Sequence, residues 1–156
     1  MNQGNQKKRD IMLAVLLFIL LGGVFIAFRL LAFKDDASMA YVYYGTSSDP
    51  IVTIAFTEQQ IIRHYDQDTP ASYEKDYPII DEDNQTITIL GDYMIDGIRQ
   101  DVVIKYDFAK KSVQIIEEQS PNHICSREGE STGWPLICLP NRVRVEFVND
   151  QGDFTV

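Results

Sequence analysis

Two cysteines are the side chains of this sequence best suited to chemistry. Cys125 and Cys138 would close a loop of 14 residues, and His123 lies two positions before the first of them. Such residues can form a structural disulfide, exchange with other thiols, or hold a zinc ion. Redox-active pairs usually have the spacing Cys-x-x-Cys, and two cysteines with one histidine match no standard zinc pattern. The spacing therefore favours a disulfide, worth about 3 kcal/mol, and the redox and metal alternatives stay open.

The other polar residues do not form a catalytic pattern. His64 and His123 are too few for most metal centres and are expected on the surface. The acidic run over 81–83 resembles the start of a calcium loop but lacks its glycine and terminal glutamate, which favours a solvated turn. The sequence has no nucleophile elbow and no glycine-rich phosphate loop. We therefore predict a protein that is not an enzyme and needs no cofactor or metal ion.

An apolar segment near the N-terminus, residues 11–33, predicts one transmembrane helix that contacts membrane lipid. Its 23 residues contain one charge, Arg29, near the far end, where the side chain can reach the headgroups. A helix of this length spans about 34 Å, enough for the hydrocarbon core of a bilayer. A cleaved signal peptide is the alternative, because residues 38–40 read Ser-Met-Ala, although the apolar core of a signal peptide is usually about 7–15 residues long.

The charges that flank this segment predict its orientation. Lys-Lys-Arg at 7–9 comes just before the segment, whereas Lys34 alone follows it and is next to two aspartates. The positive-inside rule then places residues 1–10 in the cytoplasm. Residues 34–39 become a short tether, and residues 40–156 become an extracytoplasmic domain. Thiols can be oxidised on that side of the membrane, which supports the disulfide.

The domain beyond the membrane segment is strongly acidic. The chain has a net charge of −9, and the residues after 33 carry 10 basic and 22 acidic side chains, a net −12. Such a surface repels phosphate groups, so it argues against nucleic-acid binding and against attachment to anionic lipid.

Alternating apolar and polar residues predict a small all-β domain, an antiparallel sandwich or an open barrel. The predicted strands are 40–44, 51–57, 77–80, 86–90, 101–107, 112–118 and 142–148. A Gly-, Ser- and Pro-containing turn over 45–50 joins the first two strands as a hairpin. Pro78 keeps its strand at an edge. Residues 58–78 fit a short strand, a helical turn and a long loop equally well.

The segment around the cysteines has Pro121 and Cys125, then a polar loop with glycines, then Cys138, Leu139, Pro140 and Asn141 before the last predicted strand. These residues resemble the signature of the NusG domain II family of membrane-anchored bacterial proteins. The family pattern is Cys-Pro-x-x-x-Cys, a glycine-rich loop, and Ile-x-Cys-Leu-Pro-Asn before a terminal strand. The order of anchor, aromatic strand and valine-rich strands is also similar, so the resemblance covers residues 11–148. It departs from the family at two places. Ser120 stands where the family has its first cysteine, and the family's Gly-Trp-Ile is not in its usual position, because the single tryptophan, Trp134, comes later.

The resemblance implies an accessory role in an extracytoplasmic complex. Members of the family tend to accompany membrane proteins of flavin-, quinone- or transport-related systems, including flavin-based extracellular electron transfer. We therefore expect a non-catalytic interaction module with a membrane or surface protein as partner. The aromatic residues Tyr41, Tyr43, Tyr44 and Trp134 are the candidate contacts, and plain packing is their alternative role. A small-ligand-binding module or a thiol/disulfide redox module on the outer face is the alternative function.

Overall fold

A computed structural model describes residues 3–32 and 37–149, with the side chains of the first range described from residue 8 to 27. In these ranges the chain has one long N-terminal helix and nine strands in two antiparallel sheets. The chain divides into two compact units, residues 1–35 and 36–156. An antiparallel β domain that follows one apolar helix is therefore confirmed.

The first unit is the helix α1, which runs from Gln3 to Ala32. Its part from Lys8 to Ala27 has a mean hydropathy of 2.6 and none of it is buried in the protein, so by length and composition it can cross a membrane. The helix begins before the predicted apolar segment because apolarity marks the lipid-spanning part, whereas backbone hydrogen bonds continue through the polar residues before it. Phe33 and tether residues 34–36 lie outside the described residues, as do 150–156 of the predicted domain.

The second unit contains a five-stranded and a four-stranded sheet. In the first sheet the strand order is β3-β2-β1-β9-β8, and in the second it is β4-β5-β6-β7. The strands of the first sheet are β1 Met39–Tyr44, β2 Val52–Ala55, β3 Gln60–Arg63, β8 Leu136–Cys138 and β9 Val143–Val148. Those of the second are β4 Ile79–Asp81, β5 Thr86–Ile95, β6 Ile98–Asp107 and β7 Ser112–Glu117.

Both sheets contribute to one hydrophobic core. Strict alternation in β9 buries Val143, Val145 and Phe147, while β6 buries Val102, Ile104 and Tyr106. The ring of Phe147 stacks on that of Phe56, with 6.4 Å between centroids. The apolar alternation that predicted these strands is thus what places them around a common core.

The structure adds two strands that the sequence did not predict and lengthens two others. The unassigned region 58–78 begins with β3, which pairs with β2, and β8 forms at the other edge of the same sheet. Strands β5 and β6 continue to Ile95 and Ile98 as a long hairpin. The predicted strand ended at Leu90 because Gly91 and Asp92 look like a turn, whereas they lie where the register shifts within β5.

The loop after β3 is held against β5 by one buried amide. Gln67 donates from Nε2 to the carbonyl oxygen of Leu90 at 3.3 Å, and its Oε1 accepts the amide of Leu90 at 2.9 Å. The side chain therefore makes both bonds that a neighbouring strand would make. The loop leads to the cis peptide bond before Pro78 and then to β4, which is at the edge of its sheet, as predicted.

Candidate functional site

A disulfide joins Cys125, in the segment that connects β7 to β8, with Cys138 in the first sheet. Cys125 lies in the short helix α2 (Ile124–Arg127), Cys138 ends β8, and their Sγ atoms are 2.08 Å apart. The two residues are 2% and 0% exposed. The bond is therefore enclosed by the protein, although Pro121 and Leu139 on either side of it are exposed.

The carboxyl group of Glu118 lies beside this disulfide. Glu118 follows the end of β7 and is 1% exposed. A carboxylate oxygen of Glu118 and the two Sγ atoms all lie within 4.8 Å of one another. Among the residues that the structure describes, this is the one group that could hold a metal ion. Both sulfurs are committed to the disulfide, so metal binding would first require reduction.

The predicted motif residue Asn141 joins the two sheets. It is 0% exposed, its Nδ2 donates to Sγ of Cys138 at 3.4 Å, and its Oδ1 accepts the amide of Tyr93 at 3.3 Å. Gly91 leaves the space that Asn141 occupies, since a Cβ on Gly91 would lie 2.1 Å from Oδ1. Leu139 and Pro140, by contrast, are exposed. The buried part of the motif therefore packs β5 against the cysteine segment.

The four aromatic candidates for partner contact have different environments. Tyr43 is 6% exposed, and the guanidinium of Arg144 lies over its ring at 4.3 Å from the centroid. Tyr41 is half-buried, and Tyr44 is half-buried and hydrogen-bonded to Asp92. Trp134 is 51% exposed. Only Trp134 among the four therefore offers most of its ring to a partner.

A cluster of exposed apolar side chains lies at the end of the β5–β6 hairpin. We call Met94, Ile95 and Ile98 the apolar tip; they are 57%, 41% and 59% exposed. The turn between them is Asp96-Gly97, with positive φ angles of 52° and 80°. Beside the tip is an open groove of about 590 Å³, lined by Tyr73, Tyr77, Met94 and Ile98 among others.

A network under the tip fixes its position. Arg99 donates from Nε to the carbonyl oxygen of Gly91 at 2.8 Å and from Nη2 to that of Leu90 at 3.0 Å. Its Nη2 also contacts Asp92 and the hydroxyl of Tyr44. These bonds replace strand pairing where the register of β5 shifts. Because Tyr44 ends β1, the tip lies at the opposite end of that strand from Met39, about 17 Å along it.

Two tyrosines in this region hold their protons to high pH. Burial, and then the hydrogen bond donated to Asp92, raises the pKa of Tyr44 to about 12. Burial, and then the bond to Asp101, raises the pKa of Tyr77 to about 12.

These pKa values predict alkaline destabilisation. Unfolded tyrosine ionises near pH 10.0, so between pH 10 and about 12 the unfolded chain binds fewer protons than the folded one, and the free energy of unfolding falls. Burial also raises the pKa values of Tyr43 and Tyr106, so ultraviolet titration should show several late tyrosines. Tyr44→Phe with Tyr77→Phe should remove two of them and reduce the loss of stability in this window. An equal loss in this double variant would contradict the assignment.

The two histidines are bonded within the domain. Nε2 of His64 lies 2.8 Å from Oγ1 of Thr53, and Nδ1 of His123 lies 2.7 Å from the carbonyl oxygen of Glu118. Both residues are exposed, and neither belongs to the group around the disulfide that could hold a metal ion. They therefore do not extend that group to a zinc site.

Sequence reasoning did not identify the apolar tip or Glu118. The tip had a recognisable signal, because Asp-Gly between alternating apolar residues is typical of a two-residue hairpin turn. Glu118 had none, since a glutamate at the end of a strand usually faces solvent. Comparison of the chain with protein-family models, curated proteins and solved structures gave no match.

Proposed function

We propose that this protein is a membrane-anchored, non-catalytic interaction module that presents its β domain on the extracytoplasmic side. The observation that carries the proposal is the apolar tip, where three large side chains are exposed at the end of one hairpin. Exposed apolar clusters on a soluble domain are typical of protein-binding surfaces. The partner is a membrane or surface protein, to which this chain is an accessory subunit.

The position and rigidity of the tip support this role. The chain enters the domain near Met39, at the opposite end of β1 from the residues that support the tip. Within the domain, the tip therefore lies at the other end of β1 from Met39. Arg99 and Asp92 hold its base in one arrangement, which reduces the entropy lost when a partner binds.

The apolar helix and the charges around it support the membrane location and the orientation. The span Lys8–Ala27 has the length and hydropathy of a transmembrane helix, and the basic residues before it favour a cytoplasmic N-terminus. A disulfide between Cys125 and Cys138 suits an oxidising compartment outside the cytoplasm.

The likeness of the cysteine segment to the NusG domain II family supports the accessory role. We infer that the two sheets form a sandwich or open barrel of that family's kind, since one core contains residues of both. Flavin-based extracellular electron transfer is the system that this likeness favours. The acidic surface argues against a nucleic-acid partner.

Affinity capture from gently solubilised membranes tests the proposal. The full chain should recover a membrane or surface protein, identified by mass spectrometry, that an anchor-only chain does not recover. Met94→Ser with Ile98→Ser should abolish the recovery. Ile62→Ser with Ile116→Ser, at residues 39% and 42% exposed, is the matched control and should preserve it.

Two outcomes would overturn the proposal. If capture recovers the full chain without any partner, the protein does not form the proposed stable complex. Equal recovery of a partner by the tip variant and by the matched control would show that the apolar tip is not the binding surface.

A further inference from the structure

The carboxyl group of Glu118 is buried against the disulfide and only half satisfied. Its Oε2 accepts the backbone amide of Ser120 at 2.6 Å, whereas Oε1 has no hydrogen-bond partner among the described residues. The neighbouring hydroxyl of Ser120 is also buried without a partner there. Folded proteins rarely leave a buried carboxyl oxygen unpaired, because its desolvation is then uncompensated. In the disulfide form, no donor in the described part of the chain therefore reaches Oε1.

The reduced form of the cysteine pair can supply the missing group. In the disulfide neither sulfur carries a hydrogen, so neither can donate to Oε1. A thiol can donate to a carboxylate, and a protonated carboxyl can donate to a thiolate. A carboxylate oxygen within 4.8 Å of both sulfurs is close enough to make such a bond after a small side-chain movement. Glu118 therefore interacts more favourably with the thiols than with the disulfide, which makes the pair easier to reduce.

We propose that Cys125, Cys138 and Glu118 form a redox-sensitive thiol–disulfide pair, which a dithiol substrate reduces. Because both sulfurs are enclosed, a thiolate of the dithiol reaches one of them only when the segment around the disulfide opens locally. The thiolate attacks that sulfur, the disulfide bond breaks, and the other cysteine leaves as a thiolate, takes a proton from solvent and donates a hydrogen bond to Glu118. The second substrate thiol loses its proton to solvent. This thiolate attacks the mixed disulfide and releases the oxidised substrate, and the last cysteine thiolate takes a proton from solvent.

These steps balance, with the protons exchanged with solvent, and Glu118 is left unchanged. Two electrons pass from the dithiol to the cysteine pair, and one disulfide forms as another breaks. The titratable side chains on the surrounding elements are Glu117 on β7, His123 in the turn before α2, and Arg127 on α2, and all three are exposed. Glu118 is thus the buried carboxyl at the sulfurs, and Glu117 is an exposed carboxyl beside it in the chain.

The test is an equilibrium redox titration of the full chain in detergent micelles against dithiothreitol buffers. Thiols are trapped by acid and counted by the gel shift of a maleimide–polyethylene glycol, while circular dichroism follows the fold. The wild-type pair should become reduced with the fold retained. Glu118→Gln should shift the equilibrium toward the disulfide by about tenfold or more, whereas Glu117→Gln should leave it unchanged.

Either of two results would overturn the proposal. The wild-type disulfide could resist dithiothreitol until the domain unfolds, which a purely structural bond would do. Alternatively, Glu118→Gln could titrate like Glu117→Gln. If Glu118→Gln does not fold, Glu118→Asp keeps the carboxyl but withdraws it by one methylene, and an unchanged equilibrium in that variant is equally contradictory. The proposed interaction at the apolar tip is tested by capture and does not depend on this result.

Discussion

Replacing Gly91 by alanine is expected to lower the free energy of unfolding by about 3 kcal/mol. The new Cβ would lie 2.1 Å from Oδ1, 2.7 Å from Cγ and 2.9 Å from Cβ of Asn141. Asn141 cannot move aside, because it is 0% exposed and bonded to both Cys138 and Tyr93. Urea denaturation of the full chain in detergent micelles, followed by near-ultraviolet circular dichroism, measures the loss.

Two variants separate this contact from ordinary backbone effects. Gly97→Ala meets no atom within 4 Å but places alanine at a φ of 80°, so it should cost only about 1–2 kcal/mol. Asn141→Gly removes the clashing side chain, so adding Gly91→Ala to it should cost far less than in the wild type. If the two Gly91→Ala costs are equal, the packing of β5 against Asn141 is not the cause.

The contact between Gly91 and Asn141 shows which part of the fold the sequence could not predict, because it joins residues far apart in the chain. Alternation of apolar residues is a local property, so it predicted β9 and the central part of β6. Whether Gly91 ends a strand or lies within it depends on Asn141, which is 50 residues later in the chain. Strand β3 was ambiguous for a similar reason, since Gln60–Arg63 is mostly exposed and becomes a strand by pairing with β2.

The candidate site shows the same division between local and distant determinants. Cys125 and Cys138 could be paired from the sequence because they are the two cysteines in it. The exposure of the aromatic residues could not be predicted, since the burial of Tyr43 depends on Arg144 across the sheet. Glu118 is brought to the sulfurs by the turn at 120–123, and no pattern in the sequence indicates that approach. Chemistry that depends on one long-range contact is therefore visible only in the structure.

Arg99 connects the base of the apolar tip to the neighbouring strands. Its side chain is 14% exposed, and its guanidinium bonds to two carbonyl oxygens, to Asp92 and to Tyr44. These bonds replace the strand pairing that the shifted register of β5 interrupts. A side chain in this position determines both the stability of the hairpin and the orientation of the tip. Stability and partner binding should therefore be lost together when it is removed.

Arg99→Ala is expected to lower the free energy of unfolding by about 3 kcal/mol, because the buried carbonyl oxygens and Asp92 lose their donors. It should also abolish partner capture, although Met94, Ile95 and Ile98 are unchanged. Arg99→Lys should recover only part of both, since an ammonium group cannot reproduce the planar fork of the guanidinium. Urea denaturation and the membrane capture measure the two effects.

Arg142→Ala is the matched control for this prediction. Arg142 also pairs with Asp92, at 3.1 Å, but it is 50% exposed, and such surface ion pairs contribute about 1 kcal/mol or less. It should therefore retain both stability and capture. Similar losses in the Arg142→Ala and Arg99→Ala variants would mean that the charge of Asp92, and not the support of the β5 carbonyl groups, holds the tip in place. If Arg99→Ala loses stability but captures the partner undiminished, partner binding does not depend on the support that Arg99 gives to the hairpin.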